Sequence, residues 1–156
     1  MKKKWVKVLS VSLCVAILVS TTIFASGTGG KISVQNLEVS EDSTEVAVAI
    51  TLDENPGILG LQVRVVYDSG IKLVGIEGGN ALSTLVMTPP KTFESGRTIM
   101  WDGTDEDNST GTLVTLRFDV SDAQPKKYEI SVSVSALDEN VSPVTFSSSN
   151  GSITVT

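Results

Sequence analysis

The segment Asp102-Gly103-Thr104-Asp105-Glu106-Asp107-Asn108 gathers the densest set of acidic oxygens in the chain. Two carboxylates at a set separation are enough for acid–base hydrolysis of a glycosidic bond. Asp102, Asp105, Glu106 and Asp107 are the candidates for that role. The same oxygens are the hard ligands that calcium prefers. The spacing does not follow the twelve-residue calcium loop, because the Asp positions differ and no Gly stands at the turn. A solvated acidic loop explains the composition, so no catalytic residue and no metal ligand is assigned. Asp138-Glu139-Asn140 is a second, weaker cluster of the same kind.

Composition excludes most other chemistry. The chain has no His, which removes Ser-His-Asp and Cys-His nucleophiles, His-ligated zinc and a His general base. Its one cysteine, Cys14, lies inside an apolar run and follows Leu13, where a lipid-modification signal needs a small residue. The rest of the chain therefore has no disulfide and no thiol chemistry. Gly75 and Gly78-Gly79 lack the Lys-Ser/Thr of a phosphate loop. No basic patch interleaved with aromatics suggests nucleic acid.

Binding surfaces remain. Six aromatic side chains follow residue 25: Tyr67, Phe93, Trp101, Phe118, Tyr128 and Phe146. Tyr67, Phe118, Tyr128 and Phe146 share the parity of their apolar neighbours and read as core. Trp101 and Phe93 are the two rings left to stack on a sugar, which makes a carbohydrate-binding module the alternative function. The other surface is residues 60–68. Leu61, Val63, Val65 and Tyr67 fall on one side, and Gln62, Arg64 and Val66 fall on the other. Strand side chains alternate with period 2, so this is a strand with one buried and one presented face.

Those residues are positioned by strands throughout. Residues 31–40 change parity at Gln35-Asn36, which predicts a bulge or bend. Residues 45–52 alternate cleanly, and Asn55-Pro56-Gly57 is a turn signal. Further strands are expected over 71–77, 97–102, 112–120 and 128–136, with short ones at 144–146 and 151–155. Residues 81–87 fit a strand or one helical turn. Residues 103–111 read as a long polar loop, and Asn150-Gly151 as a tight turn. Many short strands with regular turn signals and no convincing helix predict an all-β sandwich of about nine strands.

The first 25 residues read differently. Lys2, Lys3, Lys4 and Lys7 precede an apolar run from Val8 to Val19, and Ala25 offers a small-residue exit. That is the pattern of a secretory signal peptide cleaved near residue 25, although an uncleaved anchor shares it. Residues 26–30 (SGTGG) are expected to form a flexible leader and 31–156 the domain. Removing residues 1–25, which hold four Lys and no acid, takes the formal charge from −6 to −10. Such acidity opposes nucleic acid and anionic membranes as partners. An exported, extracellular or surface-associated protein is expected, with no membrane contact once the signal is removed.

Four segments together resemble the cohesin domain of bacterial cellulosome scaffoldins. They are Val46–Leu52 running into Asn55-Pro56-Gly57; Gly60-Leu61-Gln62-Val63-Arg64-Val65-Val66-Tyr67-Asp68 leading to Leu73-Val74-Gly75-Ile76; Ile99-Met100-Trp101-Asp102 with its polar loop and then residues 111–120; and the closing Asn150-Gly151-Ser152-Ile153-Thr154-Val155. They span nearly all of 31–156 in the family's order. The resemblance implies a nine-stranded jelly-roll sandwich and a non-catalytic adaptor that binds dockerin modules of secreted plant-cell-wall-degrading enzymes. It implies no cofactor, with calcium belonging to the dockerin. It places docking on Gly60, Gln62, Arg64 and Val66 together with Thr98, Met100 and Asp102. The family often carries Asn and Asp where Gly60 and Gln62 stand, which implies a different specificity. Hydrophobicity puts Ile99 and Trp101 inside, whereas aligning Asp102 with the family's acid would turn them toward the partner. No dockerin, surface-layer repeat or sorting signal accompanies the domain, so a free single-domain protein or a relative used for other adhesion is expected.

Overall fold

A computed structural model describes residues 29–156. The expected signal peptide, 1–25, and residues 26–28 of the expected leader lie outside the described residues. The elements are β1 (Gly30–Val34), β2 (Asn36–Val39), β3 (Glu45–Glu54), β4 (Ile58–Tyr67), β5 (Lys72–Gly78), β6 (Val86–Thr88), β7 (Arg97–Asp107), β8 (Gly111–Asp119), β9 (Lys127–Leu137), β10 (Pro143–Val144), β11 (Phe146–Ser149) and β12 (Gly151–Val155). There is no helix among the described residues. One sheet runs β11-β1-β3-β8-β5. The other runs β2-β12-β9-β4-β7-β6, with β10 added on β9. The all-β sandwich expected from the alternation is the architecture observed.

Each long strand contributes one parity to the core. Val48, Ile50 and Leu52 of β3 are fully buried, as are Leu113, Leu116 and Phe118 of β8. They face Leu61, Val63 and Val65 of β4, Ile99 and Trp101 of β7, and Tyr128 and Ile130 of β9. Tyr67 and Phe118 meet edge to face, 5.2 Å between centroids. The Tyr67 hydroxyl donates to the Phe93 carbonyl, which satisfies the polar end of a half-buried ring.

Several expectations change. The parity break at Gln35-Asn36 is a change of sheet. β1 pairs parallel with β11 in one sheet, and β2 pairs parallel with β12 in the other. The two strands therefore cross between sheets side by side, at Gln35 and at Asn150. Asn150-Gly151 is this crossing and not a hairpin, since β11 and β12 do not pair. Gly151 lies directly against the Gln35 carbonyl and the Val34 backbone, where a Cβ has no room. Gln35 fills the departure point, its N–H donating to the Ala49 carbonyl and its Oε1 accepting from the Ala49 N–H.

Gly30, expected in the flexible leader, is the first residue of β1. Its N–H donates to the Thr145 carbonyl, and the Phe146 ring packs over it. The long loop expected over 103–111 is mostly strand, because β7 continues to Asp107. The extra acidic residues form an excursion of that strand. Between the pairs Gly60↔Asp102 and Ile58↔Asp107, β4 advances two residues while β7 advances five. The count of twelve segments against about nine reflects the sheet crossings and the short β6 and β10.

Candidate functional site

The outer face of the larger sheet is the least ordinary surface of the domain. Register sets its grid. One row reads Val86 (β6), Asp102 (β7), Gly60 (β4), Leu137 (β9). The next reads Thr88, Met100, Gln62, Ser135, and the third Thr98, Arg64, Ser133. Val66 beside Ser131 closes the block. All seven residues carried over from the resemblance, Gly60, Gln62, Arg64, Val66, Thr98, Met100 and Asp102, point outward on this one face. The open question of parity in β7 is thereby answered: Ile99 and Trp101 are 1% and 3% exposed, and Met100 is 40% exposed.

The face mixes apolar and polar groups in the way interfaces do. Four of the six exposed large apolar side chains among the described residues, Val66, Val86, Met100 and Leu137, lie on it, and none of the strands packs over them. The outer face of the smaller sheet behaves in the opposite way. There Arg117 of β8 bridges Glu45 of β3, 2.8 Å from Nε, and Glu77 of β5, 3.0 Å from Nη1. These charges satisfy one another, whereas Arg64 and Asp102 on the larger sheet have no ion-pair partner among the described residues.

Arg64 stands near the centre of the grid. Its Nε donates to the Gly96 carbonyl at 3.0 Å. Gly96 sits at φ +88, and its N–H donates to the Val65 carbonyl at 2.7 Å. The hydroxyl of neighbouring Ser95 accepts from the Tyr67 N–H and donates to the Tyr67 carbonyl. The segment before β7 is thus laced to the end of β4 and holds the guanidinium in place. A shallow depression of about 220 Å³ lies beside it, lined by Gln62, Arg64, Thr98, Ser133 and Ser135. Gly60 leaves a flat spot one row away, where an added Cβ meets nothing nearer than the Trp101 carbonyl at 3.8 Å.

Trp101 corrects the alternative reading. As part of a sugar platform it needs an exposed ring, yet it is buried in the core on the inward parity of β7. Phe93 is half-buried and packs against the same core. Trp101 therefore presents no flat face to solvent.

The acidic segment is divided between two environments. Asp102, Asp105 and Glu106 are exposed, whereas Asp107 is buried. Asp107 Oδ1 accepts from the N–H and hydroxyl of Ser109, and Oδ2 accepts from the N–H and hydroxyl of Thr84. Burial pushes this carboxyl up, but the bonds from Ser109 and Thr84 together outweigh it and hold the group at about 2. A carboxylate so fully engaged is a clamp and not a proton donor at neutral pH. Asn55 extends it, donating from Nδ2 to the carbonyls of Asp107 and Ser109. Ser109 Oγ also accepts from the N–H of Leu82, a buried residue at φ +56. The clamp fixes the turn that leads into β6, and so places Val86 at the margin of the face.

A larger open groove of about 860 Å³ lies at one end of the sandwich. Its charged lining residues are Glu54, Glu106, Asp138 and Glu139, with no cation and no aromatic ring. Asp138 already accepts from the N–H groups of Asn140 and Ser142. No group of three or more potential metal ligands converges anywhere among the described residues.

Sequence reasoning missed half of the grid. Ser131, Ser133, Ser135 and Leu137 come from β9, whose inward parity was legible and whose outward parity followed from it. What the sequence did not carry was that β9 lies beside β4. Val86 was hidden by the brevity of β6.

No family model matches the sequence, and no curated protein matches it. Solved structures do match in fold. A non-cellulosomal cohesin from the hyperthermophilic archaeon Archaeoglobus fulgidus aligns with a TM-score of 0.70 at 11% identity, over 82% of this chain and 91% of that one. The cohesin of a type I cohesin–dockerin complex from Clostridium thermocellum aligns with a TM-score of 0.68 at 14% identity, over 82% and 99%. The seventh ScaB type I cohesin of Pseudobacteroides cellulosolvens gives 0.66 at 19%, over 82% and 92%. The chain has the cohesin fold.

Proposed function

We propose that this domain is a non-catalytic adaptor that docks a dockerin-type module on the outer face of its larger sheet. The observation that carries the reading is that face itself: an uncovered four-strand grid with apolar side chains, free hydroxyls and unpaired charges, on a fold shared with cohesins. Type I cohesins of this fold occur in complex with dockerins. A non-cellulosomal cohesin shares it too, so the reading does not depend on a cellulosome. The domain brings no metal of its own, and the calcium of the complex belongs to the partner. The Lys-rich start and apolar run of residues 1–25 support export, which puts the adaptor where secreted, polysaccharide-degrading enzymes would carry its partner module.

Gly60→Arg tests this. The backbone at Gly60 has room for a Cβ, so the new side chain stands out from the middle of the face without disturbing the core. The assay is calorimetric titration of calcium-loaded dockerin modules, including those on secreted proteins of the same source. At least one is expected to bind. Gly60→Arg is expected to weaken that binding about 100-fold, the scale of losing a well-packed centre, with the melting temperature unchanged. The proposal fails if no dockerin binds, or if Gly60→Arg binds as well as the parent.

A further inference from the structure

Within the grid from Val86 to Ser131 only two side chains are charged, Arg64 and Asp102. Neither has an ion-pair partner among the described residues. The three arginines there differ sharply in this respect. Arg97 pairs with Glu94 and Arg117 with Glu45 and Glu77, while Arg64 has only the Gly96 carbonyl on Nε. Its two terminal nitrogens make no hydrogen bond among the described residues, and Arg64 lines the depression. The tether matters, because a guanidinium already held by one bond loses less freedom on meeting a ligand.

The surroundings of Arg64 are donors without competing acids. Thr98 and Ser133 flank it in register, with Gln62 and Ser135 in the next row. None of these four side chains is engaged in a hydrogen bond among the described residues. A planar guanidinium with hydroxyl and amide groups around a shallow depression fits a carboxylate, which can accept two parallel N–H bonds from Arg and further bonds from neighbouring donors. Elsewhere the strongly acidic domain repels an acidic partner, so this is the place on the face where such a group is welcome. Asp102 is the converse. Its row neighbours, Val86, Gly60 and Leu137, are uncharged, and it asks for a cation. Four residues along the strands and one strand across put the Arg64 and Asp102 Cα atoms about 14 Å apart.

We infer that the docked module presents a carboxylate to Arg64 and a cation to Asp102, and that this pair of opposite charges fixes which way round the partner lies. The inference rests on the adaptor reading above. A partner turned through half a circle brings its acid toward Asp102 and its base toward Arg64. Both contacts then become repulsive, and such mismatches are how interfaces reject wrong orientations. The two charges set direction, and the apolar Met100, Val86, Leu137 and Val66 supply area for either orientation.

The test uses a calcium-loaded dockerin that binds the parent domain. Arg64→Glu is expected to weaken binding about 100-fold and Asp102→Lys about 10-fold, as for charge reversals opposite a partner charge. Arg64→Gln, which keeps a side chain of similar reach without the charge, is expected to lose about 10-fold and to flatten the salt dependence of the association rate. The decisive arm is the double variant Arg64→Glu with Asp102→Lys. A dockerin whose facing acid and base have been exchanged is expected to bind it at least about 10-fold better than the unaltered dockerin does. Both residues are exposed, so melting temperatures control for folding. If binding survives Arg64→Glu within about 2-fold but falls with Gly60→Arg, the charge assignment is overturned and the docking face stands. If no dockerin binds the parent domain, both fall together.

Discussion

Removing the Asp107 carboxylate while keeping its shape should cost the domain a predictable and pH-dependent share of its stability. Asp107→Asn retains one oxygen, which can still accept from Ser109, but turns an amide N–H₂ toward the two donors of Thr84. In the folded protein the carboxyl titrates at about 2 against an ordinary 3.8. That displacement corresponds to about 2.5 kcal/mol of preference for the ionised form. Because the folded value is depressed, the stabilisation is complete above 3.8 and is lost as pH falls through that value to about 2. At pH 7 the variant is expected to be about 2–3 kcal/mol less stable than the parent. At pH 2 the parent's own carboxyl is half protonated and resembles the amide, so the two should agree within about 0.5 kcal/mol. Urea unfolding at both pH values measures the gap directly. Other carboxylates weaken both proteins alike at low pH and cancel in the difference. A gap below about 0.5 kcal/mol at pH 7, or a gap unchanged at pH 2, refutes the clamp. The clamp also places β6, so docking should weaken a few-fold in Asp107→Asn even where the domain stays folded.

Three further outcomes follow. Trp101→Ala should cost about 3–5 kcal/mol in urea unfolding, the range for deleting a large buried ring. Affinity electrophoresis of the parent on cellulose, xylan and pectin should show no retardation, and retardation abolished in a folded Trp101→Ala would instead restore the sugar platform. Excess EDTA should leave the melting temperature of the free domain where it stands in calcium, while dockerin capture is lost. A bound ion would raise the midpoint by mass action, so any calcium-dependent shift of the free domain speaks against an ion-free adaptor.

Period-2 patterning made most of the fold legible. Leu61, Val63 and Val65, or Tyr128, Ile130 and Val132, declare a buried face whatever the neighbouring strand is. The sheet crossing at Gln35 was legible only as a loss of phase, because a bulge and a change of sheet shift parity identically. The distinction lies in Gly151 against the Gln35 carbonyl, a contact between residues far apart in sequence. Asp107 was misread for a related reason. Four acids within six residues look solvated, and nothing local indicates that one of them will be met by Thr84 and Ser109. The face was half legible. β4 and β7 supplied its centre through residues 60–66 and 98–102, but β9 is joined to them only by long-range pairing. Trp101 shows the limit of composition: an aromatic in a polar segment is ambiguous until the strand's phase is known.

β4 carries the argument for separating stability from binding. Its inward residues, Leu61, Val63 and Val65, are at most 3% exposed, and truncating any of them opens a cavity in the sandwich. Its outward residues, Gly60, Gln62, Arg64 and Val66, contact neither sheet's core. A substitution one position along the strand therefore changes which property responds. A binding defect in Gln62 or Arg64 variants with unaltered melting is evidence about docking, and the same defect in Val63 variants is evidence only about folding. The same division leaves an apolar-studded face uncovered. The grid is interrupted in every row by a charge, a hydroxyl or Gly60, so no row offers a continuous apolar strip to a second copy. A partner that does bind must match that interrupted pattern row by row, and the Arg64–Asp102 diagonal is the part of the pattern with a direction.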